Sequence, residues 1–279
     1  MSTNKLSLNI FQSCLEDQGF KIIFHYDRVK LYVDSANKQA ELNKVCTNEK
    51  QHKIIPRALL HYTTMNQMID ARQPDDAYFK RLNTALIGDY LINYVEFAMD
   101  IIGKNKRQVT KLRSLLNELL TFERKSSAGG SYFYHGHSGN THYFGNRHNH
   151  KDILAIYSDM ESKVAPGKSC VHIEMRLYGS RLLKDFCIYT LQDLIDYQHD
   201  SFWEKYLDLR DVNYTELGRL VSHEKPNLTE SSLRRRGQNT FNDYGGSQAL
   251  LMDKPFFASA FIPIKNRRMF ESRLDKALR

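Results

Sequence analysis

The chain has 279 residues, enough to bury one large hydrophobic core or two small ones. Its composition, 41% hydrophobic and 26% charged, is typical of a soluble globular protein. No apolar run approaches the roughly 20 residues of a membrane span, and the N-terminus lacks the apolar segment of a signal peptide. The four scattered cysteines show no CxxC spacing, which argues against a disulfide framework or a zinc ribbon. We therefore expect a cytoplasmic protein without membrane contact.

The charge balance indicates a partner of opposite sign. The chain carries 40 Lys and Arg against 32 Asp and Glu, a formal net charge of +8, together with 15 Phe and 16 Tyr. Phosphates attract basic side chains, and unpaired bases stack on aromatic rings. This combination favours nucleic acid as the partner.

The N-terminal part predicts a helix followed by a long strand. Residues 7–18 have the apolar spacing of a short helix. Residues 21–33, KIIFHYDRVKLYV, alternate with period two, which is typical of a strand. One face of this strand would carry Ile23, His25, Asp27, Val29, Leu31 and Val33. Burying an acid on such a face is costly without a partner or a metal ion.

Two apolar patterns of helical period follow, over residues 79–102 and 107–122. They predict a pair of helices, joined by the basic turn KNKR, that packs in the core and offers its outer side to duplex DNA. The Gly- and Ser-rich stretch after them predicts a hairpin of strands 132–134 and 142–144.

The C-terminal half predicts two more strands and then helices. The strands are 152–158 and 170–178, and helical periodicity returns over 181–209. A polar loop with Arg234, Arg235 and Arg236 precedes a basic helix near 266–278. Blocks of strands and helices predict an α+β fold: an antiparallel sheet with the active site on one face, helices on the other, and a helical C-terminal region. We expect two domains, an α+β domain (1–210) and a basic DNA-contacting region (211–279).

The strand CVHIEMRLY (170–178) carries the residues that suggest chemistry. His172, Glu174 and Arg176 alternate and therefore share one face. A His-x-Glu pair can hold a divalent cation with an acid from a neighbouring strand, and Asp27 is the candidate. We therefore predict that the strands of Asp27 and Glu174 are neighbours, with their carboxylates within about 10 Å of each other on one face. Tyr157 ends the preceding strand, where a hydroxyl beside a metal-held phosphate could attack it.

Simpler interpretations remain for these residues. A tyrosine at a strand end is usually part of the core or its rim. Asp27 could pair structurally with Arg28 or Arg176. The letters HNH at 148–150 are packed too closely for an HNH nuclease, and the HxH of His135 and His137 is a weak metal-binding signal. The three adjacent arginines are most simply a solvated patch that attracts phosphate.

Three short motifs in order resemble the core of rolling-circle replication initiators of filamentous phages, phage satellites and small staphylococcal-type plasmids. They are THYFGNR (141–147), ILAIYSDME (153–161) and HIEMRL (172–177), and HYDRVKLYVD (25–34) resembles an earlier strand of the same family.

The resemblance implies a role for each matching position. Tyr157 would be the nucleophile, with Asp27 and Glu174 as metal-site acids and Arg147 and Arg176 as phosphate contacts. Two positions depart from the family pattern. Asp159 stands where a lysine is expected, and Lys163 could replace that lysine only if the turn folds back. His172 replaces an arginine and could add a metal ligand.

The function so implied is a site-specific, Mg²⁺- or Mn²⁺-dependent nicking–joining endonuclease that initiates rolling-circle replication through a phosphotyrosine intermediate. Origin DNA would be bound as duplex and cleaved as a single strand. A host helicase and a homodimer are left open. The alternatives are an origin-DNA-binding replication or copy-number regulator that does not cut, and an RNA-binding protein that stacks bases on aromatic strands.

Overall fold

A computed structural model describes residues 5–33, 52–53, 65–69, 84, 90–121, 142–144, 152–158, 160–222, 228–243 and 255–279. The predicted strand 132–134, Arg147, Asp159 and the histidines at 135, 137, 148 and 150 lie outside these ranges. Within them, no helix is long and apolar enough to cross a membrane.

The described residues form strands and helices in blocks. In chain order they are α1 Leu8–Asp17, β1 Lys21–Val33, β2 His52–Lys53, β3 Met65–Ile69, β4 Tyr90–Ile102, α2 Lys106–Leu119, β5 Leu120–Thr121, β6 His142–Phe144, β7 Asp152–Tyr157, β8 Cys170–Tyr178, α3 Ser180–Asp185, α4 Leu191–Asp196, α5 His199–Tyr206, β9 Asp208–Val212, α6 Tyr214–Leu220, α7 Glu230–Asp243, a 3-10 helix Pro255–Ala260, β10 Phe261–Pro263 and α8 Arg267–Leu278.

Seven strands form one sheet in the order β2-β3-β1-β4-β8-β7-β6, with every neighbouring pair antiparallel. The predicted α+β fold with an antiparallel sheet is confirmed. The prediction that the strands of Asp27 and Glu174 are direct neighbours is wrong. β4 lies between them and pairs with β1 on one side and β8 on the other.

The helix predicted over 79–102 is wrong for residues 90–102, which form the central strand β4. Between Tyr94 and Ile101 the sequence YVEFAMDI has period two, with Val95, Phe97, Met99 and Ile101 in the apolar core and Glu96 and Asp100 at alternate positions. Apolar residues also recur there at helical spacing, so the pattern alone fits both structures. Pairing along both edges decides for the strand, because tertiary context outweighs local pattern. The second predicted helix is confirmed as α2, with Asn105 as its N-cap.

A β-bulge in β1 changes the predicted faces of that strand. Tyr26 pairs with Phe97 and Arg28 with Glu96, so Asp27 is the extra residue between them. After the bulge the alternation reverses. Val29 pairs with Val95 and is buried in the apolar core, not on the face of Asp27 as predicted.

Helices cover the apolar face of the sheet. Phe97 of β4 stacks on Phe202 of α5 with ring centroids 4.0 Å apart. The apolar side chains of α1, α2 and α8 pack into the same core. There the rings of Phe11 and Phe270 lie with their centroids 5.4 Å apart. The polar members of the central strands consequently share the opposite face, as predicted.

The C-terminal region contains a second, smaller core. β9 pairs with β10 and β5, and a separate apolar cluster includes Leu217, Phe241 and Phe261. The predicted boundary after residue 210 falls inside β9, and α8 packs into the main core through Phe270 and Leu274. The division into two domains stays a prediction.

The arginines 234–236 lie in helix α7, so the predicted loop is wrong. The Thr229 hydroxyl accepts a hydrogen bond from the Ser232 amide at the N-terminus of α7. Gly237 and Phe241 are buried one turn apart, which gives the helix an inward face. Two glycines allow α7 to pack closely against α6. A Cβ on Gly218 would lie 1.8 Å from the Leu233 carbonyl oxygen, and one on Gly237 would lie 1.9 Å from that of Tyr214.

This close crossing predicts the effect of Gly237→Ala. Helix propensity alone would make alanine stabilising by about 1 kcal/mol. The clash should instead lower the free energy of unfolding by about 1–3 kcal/mol, because α7 must move away from α6. Urea unfolding followed by circular dichroism measures the change. Asn239→Ala, on the exposed side of the same helix, is the control and should be neutral or stabilising. A Gly237→Ala protein as stable as the wild type would contradict the crossing.

Candidate active site

Four adjacent strands bring charged and polar side chains together on the face of the sheet opposite the helices. β1 contributes His25 and Asp27, β4 contributes Glu96 and Asp100, β7 contributes Tyr157, and β8 contributes His172, Glu174 and Arg176. Register places Glu96 opposite Arg176, and His172 between Asp100 and Tyr157. Apart from Arg176, all of them are buried. We call this group the polar centre.

The three residues predicted to hold a metal ion lie together. One ligand atom each from Asp27, His172 and Glu174 is within 4.8 Å of the others. A second group, His25, Asp100 and His172, meets the same limit and shares His172. The carboxylates of β1 and β8 meet across the intervening strand β4, and the bulge in β1 is at Asp27 itself.

His172 connects two carboxylates of the polar centre. Its Nδ1 donates to Asp100 and its Nε2 donates to Glu174 Oε2 at 3.1 Å. Burial by itself would lower the pKa of His172, but hydrogen bonds and charge from both carboxylates outweigh burial and raise that pKa to about 9. His172 is therefore cationic at neutral pH in the arrangement seen here.

Asp100 accepts hydrogen bonds at both of its carboxylate oxygens. Its Oδ1 accepts from His172, and its Oδ2 accepts from the Ser162 hydroxyl at 2.6 Å. Burial would raise the pKa of Asp100, but the hydrogen bonds lower it below its usual range. His25 Nε2 lies 3.3 Å from Asp100 Oδ1, yet neither ring nitrogen of His25 has a hydrogen-bond partner in the described part of the chain.

The turn after Tyr157 folds back onto the sheet and carries Lys163 into the polar centre. The Ser162 amide donates to the Lys168 carbonyl at 2.8 Å, and Glu161 forms a bridge with Ser169. The Lys163 ammonium contacts Asp27 Oδ2. This geometry meets the condition under which Lys163 could replace the lysine missing at position 159.

Arg176 joins two carboxylates. Its guanidinium donates to Glu174 Oε1 and lies 3.5 Å from Glu96 Oε1. Burial would raise the pKa of Glu174, but His172 and Arg176 keep it below its usual range. Glu96 differs, because burial and the charge of Glu174 raise its pKa to about 7. Two buried acids that face one guanidinium thus carry different proton affinities.

Tyr157 sits at the rim of this cluster with 8% of its surface exposed. Its hydroxyl donates to Glu174 Oε2 at 3.4 Å, and its ring lies 4.6 Å from that of His172. Burial, followed by the charges of Glu174 and Asp27, raises the pKa of the Tyr157 hydroxyl well above its usual value. The phenol is therefore neutral here, and any nucleophilic role requires an acceptor for its proton.

Four residues in or beside the polar centre were not singled out from the sequence as functional: His25, Glu96, Asp100 and Ser162, which donates to Asp100. The acids of β4 were missed because the segment was assigned to a helix, although the alternation in YVEFAMDI was the available signal. Among the predicted DNA contacts, Arg234 and Arg235 are exposed on α7, whereas Arg236 donates to Ser222 at 2.9 Å. Arg176 is engaged within the polar centre. Contact of these residues with DNA stays a prediction.

Comparison with known proteins gives one distant structural likeness. No family model and no curated protein matches the chain. A solved structure, described as the rolling circle replication initiator protein from Geobacillus stearothermophilus, aligns at 12% identity with a TM-score of 0.37, over 80% of this chain and 96% of that one. A likeness this remote does not assign a function to the chain.

Ser162→Ala tests the role of the folded-back turn. The Ser162 hydroxyl donates a hydrogen bond to the buried Asp100 carboxylate. It also accepts a hydrogen bond from the Ala165 amide at 3.0 Å. Its loss should lower the free energy of unfolding by about 1.5–3 kcal/mol, since hydrogen bonds to charged groups are the stronger class. Denaturant unfolding is the measurement, and Ser114→Ala, an exposed serine on α2, is the matched control. Equal losses in the two variants would contradict this role.

Proposed function

We propose that this protein is a metal-dependent DNA nicking–joining endonuclease that initiates rolling-circle replication of a phage, phage satellite or plasmid. The observation that carries the proposal is the contact of the Tyr157 hydroxyl with Glu174, in a cluster where Asp27, His172 and Glu174 offer ligand atoms within 4.8 Å of one another. A nucleophile beside a candidate cation site is the arrangement that phosphoryl transfer to tyrosine requires.

The proposed reaction exchanges one phosphodiester for another. The Tyr157 oxygen attacks the scissile phosphorus and forms a phosphotyrosine bond to the 5′ end. The bond from phosphorus to the 3′ oxygen breaks, and this oxygen leaves as a hydroxyl after taking up a proton. Glu174 accepts the hydrogen bond of Tyr157 and orients its hydroxyl, but the lowered pKa of Glu174 makes it a weak base. The tyrosine proton therefore passes to solvent, which also supplies the proton taken up by the 3′ oxygen. Attack by the 3′ hydroxyl reverses these steps and reseals the strand, so no ATP is needed.

The donors of the polar centre suit a divalent cation. Asp27 Oδ1 is buried and has no hydrogen-bond partner among the described residues, so it has an acceptor position to offer. Asp27 and Glu174 would hold the ion, and His172 would join them after losing one ring proton, since only a neutral imidazole binds a metal. The ion would polarise the scissile phosphate and stabilise its added charge. The two carboxylates suit Mg²⁺ and Mn²⁺.

Basic groups around the polar centre would bind the DNA strand. Lys163 is 18% exposed beside Asp27, and Arg176 is 30% exposed, so each could reach a phosphate that enters the site. Arg147 is proposed for the same task from its motif alone. Arg234, Arg235 and Arg236 would serve duplex binding. The proposal takes the protein as cytoplasmic and leaves a host helicase and a homodimer open.

Tyr157→Phe gives the chemical test. The ring and its packing stay while the nucleophile is lost, so the variant should fold and bind DNA but form no covalent adduct. The assay mixes protein, Mn²⁺ and a labelled single-stranded oligonucleotide that spans the replicon's origin, followed by a denaturing gel. Tyr178→Phe is the matched control, since Tyr178 is 42% exposed at the end of β8. An adduct that persists in Tyr157→Phe would contradict the assignment of Tyr157 as the nucleophile. If that adduct disappears in Tyr178→Phe, Tyr178 is the nucleophile instead.

Asp27→Asn tests the cation site without reference to cleavage. The substitution keeps the shape of the side chain but removes its charge, and it should weaken Mn²⁺ binding at least about tenfold by titration calorimetry. Glu174→Ala should act in the same direction and should also abolish the adduct. Asp185→Asn removes an exposed acid on α3 and should leave the affinity unchanged. Wild-type affinity in Asp27→Asn would remove Asp27 from the site.

A protein that binds origin DNA without cutting is the second candidate. Two observations favour it: Tyr157 is buried, and the acids of the polar centre already have cationic partners in Lys163, His172 and Arg176. A wild-type protein that binds DNA but forms no adduct with any divalent metal would support this alternative.

A further inference from the structure

Helix α7 presents an outward face that no catalytic role explains. The helix has 14 residues, Glu230–Asp243, which at about 1.5 Å per residue span roughly 21 Å. Its inward face is fixed by Gly237 against Tyr214 and by Phe241, whose ring lies 5.6 Å from that of Tyr214. The opposite face is consequently held outward on a rigid support.

The side chains on the outward face are of the types that recognise bases. Arg234, Arg235, Asn239 and Asn242 are exposed. Arginine pairs with the acceptor edge of guanine, and asparagine pairs with adenine through one donor and one acceptor. The two acids of the helix, Glu230 and Asp243, stand at its ends. The middle of the face therefore carries positive charge and neutral amides without a carboxylate.

Arg235 and Asn239 form the centre of this face. They are four residues apart and so lie one above the other on the helix surface. Neither has a hydrogen bond or an ion pair with the described residues, whereas Arg236, next in sequence, is held by Ser222. Two unengaged side chains at i and i+4 can reach neighbouring base pairs from one helix.

Duplex DNA fits this face better than other partners. The major groove of B-DNA is about 12 Å wide and accepts a helix, whereas that of duplex RNA is too narrow for side chains to reach the bases. An acidic protein surface would pair with the arginines of this face. It would leave the asparagine side chains without a role. The net charge of +8 favours a phosphate-rich partner.

We propose that α7 is the helix through which this protein recognises a DNA sequence, with Arg235 and Asn239 contacting base edges in the major groove. The inference rests on the proposed function only in taking origin DNA as the natural duplex. It adds that sequence choice resides on α7, away from the polar centre, and that the other basic side chains contribute affinity without sequence preference.

The test is a binding selection from a duplex DNA library with a randomised central segment, in EDTA so that no cleavage is possible. Wild-type protein should enrich a consensus sequence. Asn239→Ala carries no charge change and should lose preference at one or two adjacent positions. Its affinity for the consensus duplex should fall about 5- to 100-fold, with the salt dependence of binding unchanged. Arg235→Ala should lose preference at a neighbouring position.

Arg268→Ala is the matched control for charge. Arg268 is exposed in the first turn of α8, so its removal takes away one positive charge from a helix surface, as Arg235→Ala does. It should weaken binding to all sequences alike and keep the consensus. The proposal is overturned if Arg235→Ala and Asn239→Ala retain the wild-type consensus, or if the wild type enriches none.

The adduct assay separates this result from the proposed function. A consensus that depends on α7, in a protein that forms no Tyr157 adduct, would uphold the recognition helix and reject the nickase. An adduct that requires Tyr157, with a consensus indifferent to α7, would do the reverse.

Discussion

The structure depends on the burial of four carboxylates on one face of an antiparallel sheet. An unpaired buried charge costs several kcal/mol, so each acid needs a cationic neighbour at close range. Lys163 pairs with Asp27, His172 pairs with Asp100 and Glu174, and Arg176 pairs with Glu174 and Glu96. The cations come from separate parts of the chain, so the strands and the folded-back turn must all be in place together.

This requirement explains the form of the central strands. β4 and β8 alternate strictly, which places apolar residues under the helices and polar residues in the polar centre. β1 satisfies both faces only through its bulge, which gives Asp27 to the polar centre and returns Val29 to the core. The same backbone thus supplies hydrophobic stability on one side and a preorganised charge array on the other. Preorganisation of this kind suits chemistry on a phosphate, because little reorganisation is left for the reaction itself.

The proposed division of labour follows from rigidity and exposure. Groups that act on a phosphodiester need fixed mutual positions, which strands provide. A surface that recognises duplex DNA must instead project from the molecule, as α7 does on its glycine contact with α6. The terminal helix α8 is different from both. It packs into the main core through Phe270, and its Arg273 pairs with Glu118 of α2, so part of its basic charge stabilises the fold.

Period two or 3.6 over long stretches was enough to predict β1, β7, β8, α1, α2 and α8, because such stretches leave few alternatives. Alternation also placed His172 and Glu174 on one face of β8, whereas the approach of Asp27 to them across β4 came from the fold. Residues 90–102 could not be assigned from their pattern, since their apolar residues fit both periods. Pairing on two edges makes them a strand. The bulge at Asp27, the return of Lys163 and the place of Glu96 and Asp100 likewise depend on contacts between residues distant in sequence, which no local pattern encodes. The exposed face of α7 became visible for the same reason: burial of Gly237 and Phe241 against α6 defines which side of the helix is free.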